Sequence, residues 1–325
     1  MQVSHKSNSV WHSCPHKSQL LNAFANSNSC LRDIDMNCKQ YFFTTFLDIH
    51  SMIVIPFVKL GLAPETLLRN MIMTDSQMNA NHNVQKTHIV FLHGWGLNQA
   101  IWQPIAEKLS AKYQVHCVDL PGFGTKANQE FEQYDFANVA DTLLAEIPEQ
   151  SILVGWSLGG LIASHIALNH CSKVKKLITV ASSPYFVESD NWPGIRPVVL
   201  KSFHQQLSEN GQKTIDAFLK IQAMGSPHLR QDIKKIRDLV MTLPQPTQNT
   251  LDLSLNLLET VDLRLLINNV KQPFLRLYGE MDSLVPKAAI AHINELAPNS
   301  ESIIFSKASH APFISHEGEF LDVLL

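Results

Sequence analysis

One stretch near the middle of the chain, residues 151–168, constrains the fold more than any other. Residues 151–155 form a short apolar run with β-branched side chains, which predicts a strand buried in a parallel sheet. Residues 161–168 are mostly apolar and predict a packed helix. Between them, the pattern G-x-S-x-G places Ser157 on a tight strand-to-helix turn, beside the free N–H groups of the helix. The stretch therefore predicts a nucleophilic serine at the edge of a sheet.

Short apolar strands alternate with helical patterns on both sides of this turn. The predicted strands are residues 89–92, 115–118, 151–155, 176–181, 274–278 and 302–305. The predicted helices of the same region are residues 101–109, 136–147, 161–168, 287–296 and 317–325. This alternation predicts an α/β fold with a mostly parallel sheet and helices on both of its faces.

The alternation is interrupted between residues 184 and 245. That segment shows no strand pattern but three helical ones, at 198–207, 214–224 and 230–243. An all-helical segment that follows a sheet strand is typical of a cap over an active site. We therefore predict a helical cap at 184–245, inserted into a core formed by residues 81–183 and 246–325.

Residues 1–80 differ from the rest of the chain. Their apolar patches show no clean period, and Asn, Ser and His fill the gaps. The hypothesis for this segment is a poorly ordered extension, or the product of a start codon placed too far upstream. The alternative is a helical arm that packs on the core.

A nucleophilic serine needs a base to remove its proton and a carboxylate to orient that base. After a turn of this kind the partners follow in the order Ser, acid, His, each in a loop that follows a strand. Asp282 directly follows the strand predicted at 274–278, and His310 follows the one at 302–305. The sequence therefore predicts that Ser157, Asp282 and His310 form a catalytic triad.

Each partner has an alternative. Asp282 could merely cap the next helix, Glu280 is a second acid in the same loop, and His316 is a rival base. Asp119 also ends a strand, but it precedes the serine, which is the wrong order for the acid. His93 is expected to be a structural hydrogen-bonding residue of its loop.

Two backbone N–H groups are predicted to stabilise the oxyanion. One belongs to Leu158, directly after the serine, and the other to Trp95 in the loop His-Gly-Trp-Gly. The side chain of Trp95 is also expected to wall the pocket, although simple core packing would explain it as well.

Several motifs together resemble those of the pimeloyl-acyl-carrier-protein methyl ester esterases of biotin synthesis, a family within the α/β-hydrolase superfamily. The resemblance extends from about residue 88 to residue 325. It is carried by the segments HGWGL (93–97), VDLPGFG (118–124), GWSLGG (155–160), VASSP (180–184), NWPGI (191–195) and HAPFISH (310–316).

The resemblance implies an α/β-hydrolase fold with Ser157, Asp282 and His310 as the triad. It places Trp95 and Leu158 at substrate and oxyanion positions, and it implies that a cap segment lies along the acyl chain: Phe203, His204, Gln205, Gln206 and Leu207. The implied substrate is a seven-carbon dicarboxylate, methylated at one end and joined to an acyl-carrier protein at the other. No metal or organic cofactor is expected.

Composition restricts the partners. A net charge of −3 gives no basic field for nucleic acid, and no apolar run is long enough to span a membrane. The five cysteines form no C-x-x-C pair, which favours reduced thiols and a cytoplasmic location. We expect a monomer.

The predicted cap carries more basic than acidic side chains, although the whole chain is acidic. Acyl-carrier proteins are acidic, so we expect basic residues at the mouth of the site. Lys213, Lys220 and Arg230 are the predicted docking residues.

The residues leave other functions open. One is a broad short-chain carboxylesterase, or another hydrolase of this fold such as a peptidase or a carbon–carbon hydrolase, because one fold hosts many chemistries. Another is a binding protein that keeps the fold without catalysis. Such proteins usually lack a triad residue, whereas all three are present here in order.

Overall fold

Six parallel strands form the sheet of this protein. The computed structural model describes residues 86–325 apart from 130–133, 225 and 227. Within that part the strand order is β2-β1-β3-β4-β5-β6, and each strand pairs in parallel with its neighbours. The strands are β1 (His88–Leu92), β2 (Gln114–Val118), β3 (Ser151–Trp156), β4 (Val174–Val180), β5 (Phe274–Gly279) and β6 (Glu301–Phe305). The predicted α/β fold is confirmed.

Helices connect these strands, and further helices are inserted between β4 and β5. The helices are α1 (Gln103–Leu109), α2 (Phe136–Leu143), α3 (Leu158–Asn169), α4 (Pro197–Ala223), α5 (Leu229–Val240), α6 (Gln248–Thr260), α7 (Lys287–Leu296), α8 (Pro312–Ser315) and α9 (Glu317–Leu324). Short 3₁₀ turns at Gln99–Trp102 and Leu144–Glu146 extend the first two.

The order of the strands decides where the functional loops meet. The chain passes from β1 outward to β2 and then returns to the other side of β1 to form β3. The order therefore reverses between β1 and β3, and the loops after these two strands leave the sheet in opposite directions. Open α/β sheets bind ligands in the crevice that such a reversal leaves at the carboxyl ends of the strands.

The helical insertion (α4, α5 and α6) begins with a kinked helix. The 27 residues of α4 contain one non-helical residue, Asn210, at φ −163° and ψ 93°. Its side-chain oxygen accepts a hydrogen bond from the backbone N–H of Lys213 at 3.0 Å, as an N-cap does. The sequence predicts two helices here, and the structure joins them at this kink.

The insertion continues past residue 245, where the predicted cap ends. Thr247 caps α6 by accepting a hydrogen bond from the backbone N–H of Thr250 at 3.1 Å. Leu251, Leu255 and Leu258 are buried along this helix. The helix went unpredicted because polar residues interrupt its apolar spacing.

Aromatic packing joins the end of the chain to the core. Trp102 stacks on Phe313 with ring centroids 4.1 Å apart, and Phe320 packs beside both. This cluster holds α8, which directly follows His310, against the turn before α1. The position of the His310 loop thus depends on the core.

The N-terminal segment 1–80 and its cysteines lie outside the described residues. In the part of the chain that is described, Cys117 and Cys171 are free thiols. No described helix has both the length and the apolar character that crossing a membrane requires.

Candidate active site

Ser157 occupies a strained turn between β3 and α3. Its backbone lies at φ 54° and ψ −117°, a conformation rarely adopted by residues other than glycine. Neighbouring glycines make the turn possible. A Cβ on Gly155 would lie 2.3 Å from the carbonyl oxygen of Gly159, and one on Gly159 would lie 2.5 Å from that of His93. The turn is also held by a hydrogen bond from the Ser157 backbone N–H to the carbonyl of Val180 at 2.9 Å.

Asp282 and His310 meet beyond the ends of β5 and β6. Oδ2 of Asp282 lies 2.8 Å from Nδ1 of His310, and both side chains are fully buried. Oδ1 of the same carboxylate accepts backbone N–H groups of Leu284 at 2.8 Å and Val285 at 3.0 Å. These bonds fix the carboxylate, which in turn orients the imidazole so that Nδ1 faces the acid.

Close backbone packing brings these two loops together. A Cβ on Gly279 would lie 2.0 Å from the carbonyl oxygen of Ser309, so only glycine fits where β5 ends. The indole N–H of Trp156 donates to the carbonyl of His310 at 2.8 Å. Since Trp156 directly precedes Ser157, the histidine loop is anchored beside the serine turn.

The second ring nitrogen of His310 is available for chemistry. Nε2 is buried and has no hydrogen-bond partner among the described residues. With Nδ1 facing Asp282, Nε2 is the nitrogen that a general base would use. The structure therefore joins Asp282 to His310, whereas no hydrogen bond among the described residues joins Nε2 to Ser157, and the complete triad stays a prediction.

An apolar cavity opens at Ser157. Trp95 is part of its wall, and its indole N–H donates to the carbonyl of Leu251 at 3.0 Å. The ring of Phe218 lies edge-on to Trp95 at 4.8 Å. Apart from the serine, the lining side chains are all apolar: Trp95, Phe186, Ile195, Leu200, Phe203, Phe218, Leu255, Leu258 and Leu284. Such a cavity suits an alkyl chain and keeps water away from the serine.

The loop after β1 packs directly on the serine turn. A Cβ on Gly94 would lie 3.2 Å from that of Ser157. Trp95 follows in this loop, and Leu158 is the first residue of α3, whose N–H has no intrahelical partner. These are the two predicted oxyanion donors, and that role stays a prediction.

His93 holds this loop in place. Its Nδ1 lies 2.8 Å from the carbonyl oxygen of Gly94, and its Nε2 accepts the backbone N–H of Leu120 at 3.0 Å. Burial lowers the pKa of this histidine, partly offset by the nearby Asp119 carboxylate. A neutral ring with both nitrogens engaged stabilises the loop and leaves no lone pair for base catalysis.

The rival acids have other partners. Glu280 binds Lys287 and the 306–307 turn, and the hydrogen bond from Lys287 contributes most to lowering its pKa. Asp119 accepts hydrogen bonds from the backbone of Gln99 and from Thr125.

The rival base has its own neighbour, since Nδ1 of His316 lies 2.8 Å from the hydroxyl of Ser315. No hydrogen bond or ion pair in the described part of the chain joins Glu280, Asp119 or His316 to the Asp282–His310 pair.

The predicted acyl-chain segment 203–207 forms part of a helix, so its side chains point in different directions. Phe203 lines the cavity and Leu207 is buried. Gln205 and Gln206 are exposed and bond to residues of their own helix, Glu209 at 3.1 Å and Ser202 at 3.0 Å.

His204, in the same segment, faces α6 and contacts Asp252 and Glu259 there. The lining of the cavity therefore includes Phe203 but not His204, Gln205 or Gln206.

Two further residues, which the sequence did not indicate, lie at or near the site. Phe218 lines the cavity, and Gln222 lies four residues later on the same face of α4. The carbonyl of Gln222 accepts the hydroxyl of Ser309 at 2.6 Å, and its buried Oε1 has no partner among the described residues. The signal available in the sequence was a single glutamine among the apolar residues of a predicted cap helix.

The predicted docking residues lie on the surface of the insertion. Lys213, Lys220 and Arg230 are exposed and form no ion pair with a described residue. Some basic residues of the insertion are paired instead, as Arg237 is with Asp216 at 2.7 Å. No cluster of three or more His, Cys, Asp or Glu side chains that could hold a metal occurs in the described part.

Fold and site together define a class of protein. The sequence profile of the alpha/beta hydrolase fold matches residues 87–317. The chain therefore belongs to the alpha/beta hydrolase fold family.

Solved structures of this architecture are similar at low identity. An esterase from Exiguobacterium antarcticum is 22% identical with a TM-score of 0.67, over 74% of this chain and 91% of that one. A bromoperoxidase from Bacillus anthracis is 22% identical with a TM-score of 0.66, over 74% and 90%. An enol-lactonase from Burkholderia xenovorans LB400 is 17% identical with a TM-score of 0.63, over 74% and 90%. At these identities the likeness shows the fold alone.

Proposed function

We propose that this protein is a serine carboxylesterase that hydrolyses the methyl ester of pimeloyl-acyl-carrier protein. The products are methanol and pimeloyl-acyl-carrier protein, a precursor in biotin synthesis. One observation carries the proposal: a strained serine turn opens into an apolar cavity beside a buried Asp282–His310 pair whose Nε2 is unpartnered. The identity of the substrate is inferred from the resemblance of the sequence motifs to those of the methyl ester esterases.

The reaction uses each of these groups in turn. Nε2 of His310 takes the proton of the Ser157 hydroxyl while the serine oxygen attacks the ester carbonyl. The N–H groups of Leu158 and Trp95 stabilise the oxyanion. The intermediate collapses, and methoxide leaves as methanol with the proton from His310. A water molecule, deprotonated by His310, then attacks the acyl-enzyme and releases the acid and the serine.

The cavity supports a substrate with an alkyl chain. Leu200, Phe203 and Phe218 offer apolar surface, and burial of each methylene group contributes about 0.8 kcal/mol. The carrier protein would remain outside, near the exposed and unpaired Lys213 and Arg230. Positioning of this kind presents the methyl ester to Ser157 and spares the thioester, which is the more reactive acyl group.

Methanol release tests the proposal. The wild type and Ser157→Ala are compared on the carrier-linked methyl ester and on the same methyl ester of free pimelate. We expect preference for the carrier-linked ester, and a loss of about 10⁶-fold in kcat in the variant, as for other serine hydrolases that lose their nucleophile.

Each alternative function has its own result. Equal rates on the free and carrier-linked esters would favour a broad carboxylesterase. A wild type that neither hydrolyses an ester nor reacts with an active-site phosphonate would be a binding protein of the same fold.

A further inference from the structure

The first segment of α4 carries part of the cavity wall, but the helix does not fix its position. Leu200 and Phe203 line the cavity from this segment, whereas Phe218 lines it from the segment after the kink. The non-helical backbone of Asn210 separates the two segments. Contacts outside α4 must therefore hold the first segment across the cavity.

His204 supplies such a contact. Nδ1 of its ring lies 3.0 Å from Oδ1 of Asp252, with which it forms a hydrogen bond. Nε2 lies 3.1 Å from Oε1 of Glu259. The two acids are seven residues apart on α6, or about two helical turns, so that the imidazole lies between them on one face of that helix.

The same helix forms another part of the cavity wall. Leu255 and Leu258 of α6 line it, as Leu200 and Phe203 of α4 do. The contacts of His204 therefore join the two helices whose separation sets the width of the cavity.

The ring of His204 faces one carboxylate on each side, so both of its nitrogens are engaged by α6. Among the described residues, Asp252 and Glu259 are the charged groups within ion-pair distance of the ring, whereas Lys201 and Glu209 of its own helix are not.

We propose that His204 is a positioning residue: with Asp252 and Glu259 it forms a clasp that holds the first segment of α4 over the acyl-chain cavity. A closed clasp favours binding of a longer acyl chain, because its methylene groups reach the wall that the clasp holds in place. The inference rests on the proposed esterase site but assigns this histidine a role other than substrate contact.

The test compares a long and a short acyl chain. p-Nitrophenyl hexanoate reaches into the cavity, whereas p-nitrophenyl acetate uses only the reacting groups. The ratio of their kcat/KM values cancels changes in the reacting groups, which both esters share.

His204→Leu should lower this ratio by about two- to fivefold, through KM rather than kcat. Glu259→Gln, which keeps the shape of the side chain, should lower the ratio in the same direction by a smaller factor. Gln205→Leu is the matched control, because that exposed side chain bonds only within its own helix.

Binding in a Ser157→Ala background keeps the test independent of turnover. Calorimetry of unhydrolysed p-nitrophenyl hexanoate should show weaker binding to Ser157→Ala/His204→Leu than to Ser157→Ala. Equal affinities, or an equal loss in Ser157→Ala/Gln205→Leu, would overturn the clasp. Absence of turnover by the wild type would instead overturn the proposed function.

Discussion

The edge of the sheet and the helical insertion hold their parts of the site by different means. At the sheet edge, backbone groups fix the reacting residues: two N–H groups bind Asp282, and the indole N–H of Trp156 holds the carbonyl of His310. In the insertion, apolar side chains of α4 and α6 form much of the cavity wall, and isolated bonds such as that from Trp95 to Leu251 join the insertion to the core. The Asp282–His310 pair is thus held by backbone groups, and the cavity wall mainly by side-chain packing.

After Ser157→Ala, the largest effect at the sheet edge is expected from removing the charge of Asp282. Asp282→Asn keeps the size of the side chain but favours the wrong tautomer of His310, which costs about 10⁴-fold in kcat in other serine hydrolases. Ester hydrolysis under saturating substrate measures it.

Glu280→Gln is the control for Asp282→Asn, because Glu280 bonds to Lys287 and the 306–307 turn and not to the imidazole. A comparable loss in this variant would assign the acid role to Glu280.

The next largest loss of rate is expected from a change in the backbone packing at the sheet edge. Gly279→Ala would place a Cβ 2.0 Å from the carbonyl of Ser309, which must then move together with His310. A displacement of about 1 Å at a reacting group can cost about 10²-fold in rate. Gly318→Ala is the matched control, since nothing lies within 4 Å of a Cβ there. If both variants keep wild-type kcat, the histidine loop is less constrained than this packing indicates.

The contrast between the sheet edge and the insertion also explains which features of the site could be predicted from the sequence. Parallel strands carry continuous apolar runs, and functional loops follow them directly, so the positions of Ser157, Asp282 and His310 could be inferred from the order of strands and loops. In the structure these three residues lie in the segments that follow β3, β5 and β6, and their catalytic roles stay predictions.

The insertion was harder to predict because its geometry depends on tertiary contacts. The direction of His204 is set by Asp252 and Glu259, which lie about fifty residues away in a helix that the sequence did not predict. The kink at Asn210 also changes which residues of α4 face the cavity. As a result, the sequence does not indicate that Phe218 and Gln222 lie at or near the site. The acyl-chain segment that the resemblance implies also includes Gln205 and Gln206, which are exposed.

Gln222 tests whether the insertion contributes to function as well as to shape. Gln222→Met removes a buried oxygen that has no described partner, so the free energy of unfolding should rise by about 1 kcal/mol. If that oxygen or its amide binds substrate, kcat/KM should fall about tenfold, since one hydrogen bond is worth about 1 kcal/mol or slightly more. Denaturant unfolding and ester kinetics measure the two effects.

Gln206→Met is the control for Gln222→Met, because Gln206 is exposed on the same helix. Greater stability with unchanged kinetics in Gln222→Met would make Gln222 a packing residue only.

The smallest effects are expected at the surface of the insertion. Charge reversal of Lys213, Lys220 or Arg230 should raise KM for the carrier-linked ester by about two- to fivefold each, because exposed charges interact weakly with a partner. Added salt should reduce the difference, and the free ester should be unaffected. Lys271→Glu is the control: Lys271 is also exposed and unpaired but precedes β5, at the end of the strand away from the site. If Lys271→Glu raises KM as much as the other variants, the carrier protein responds to net charge and not to the surface of the insertion.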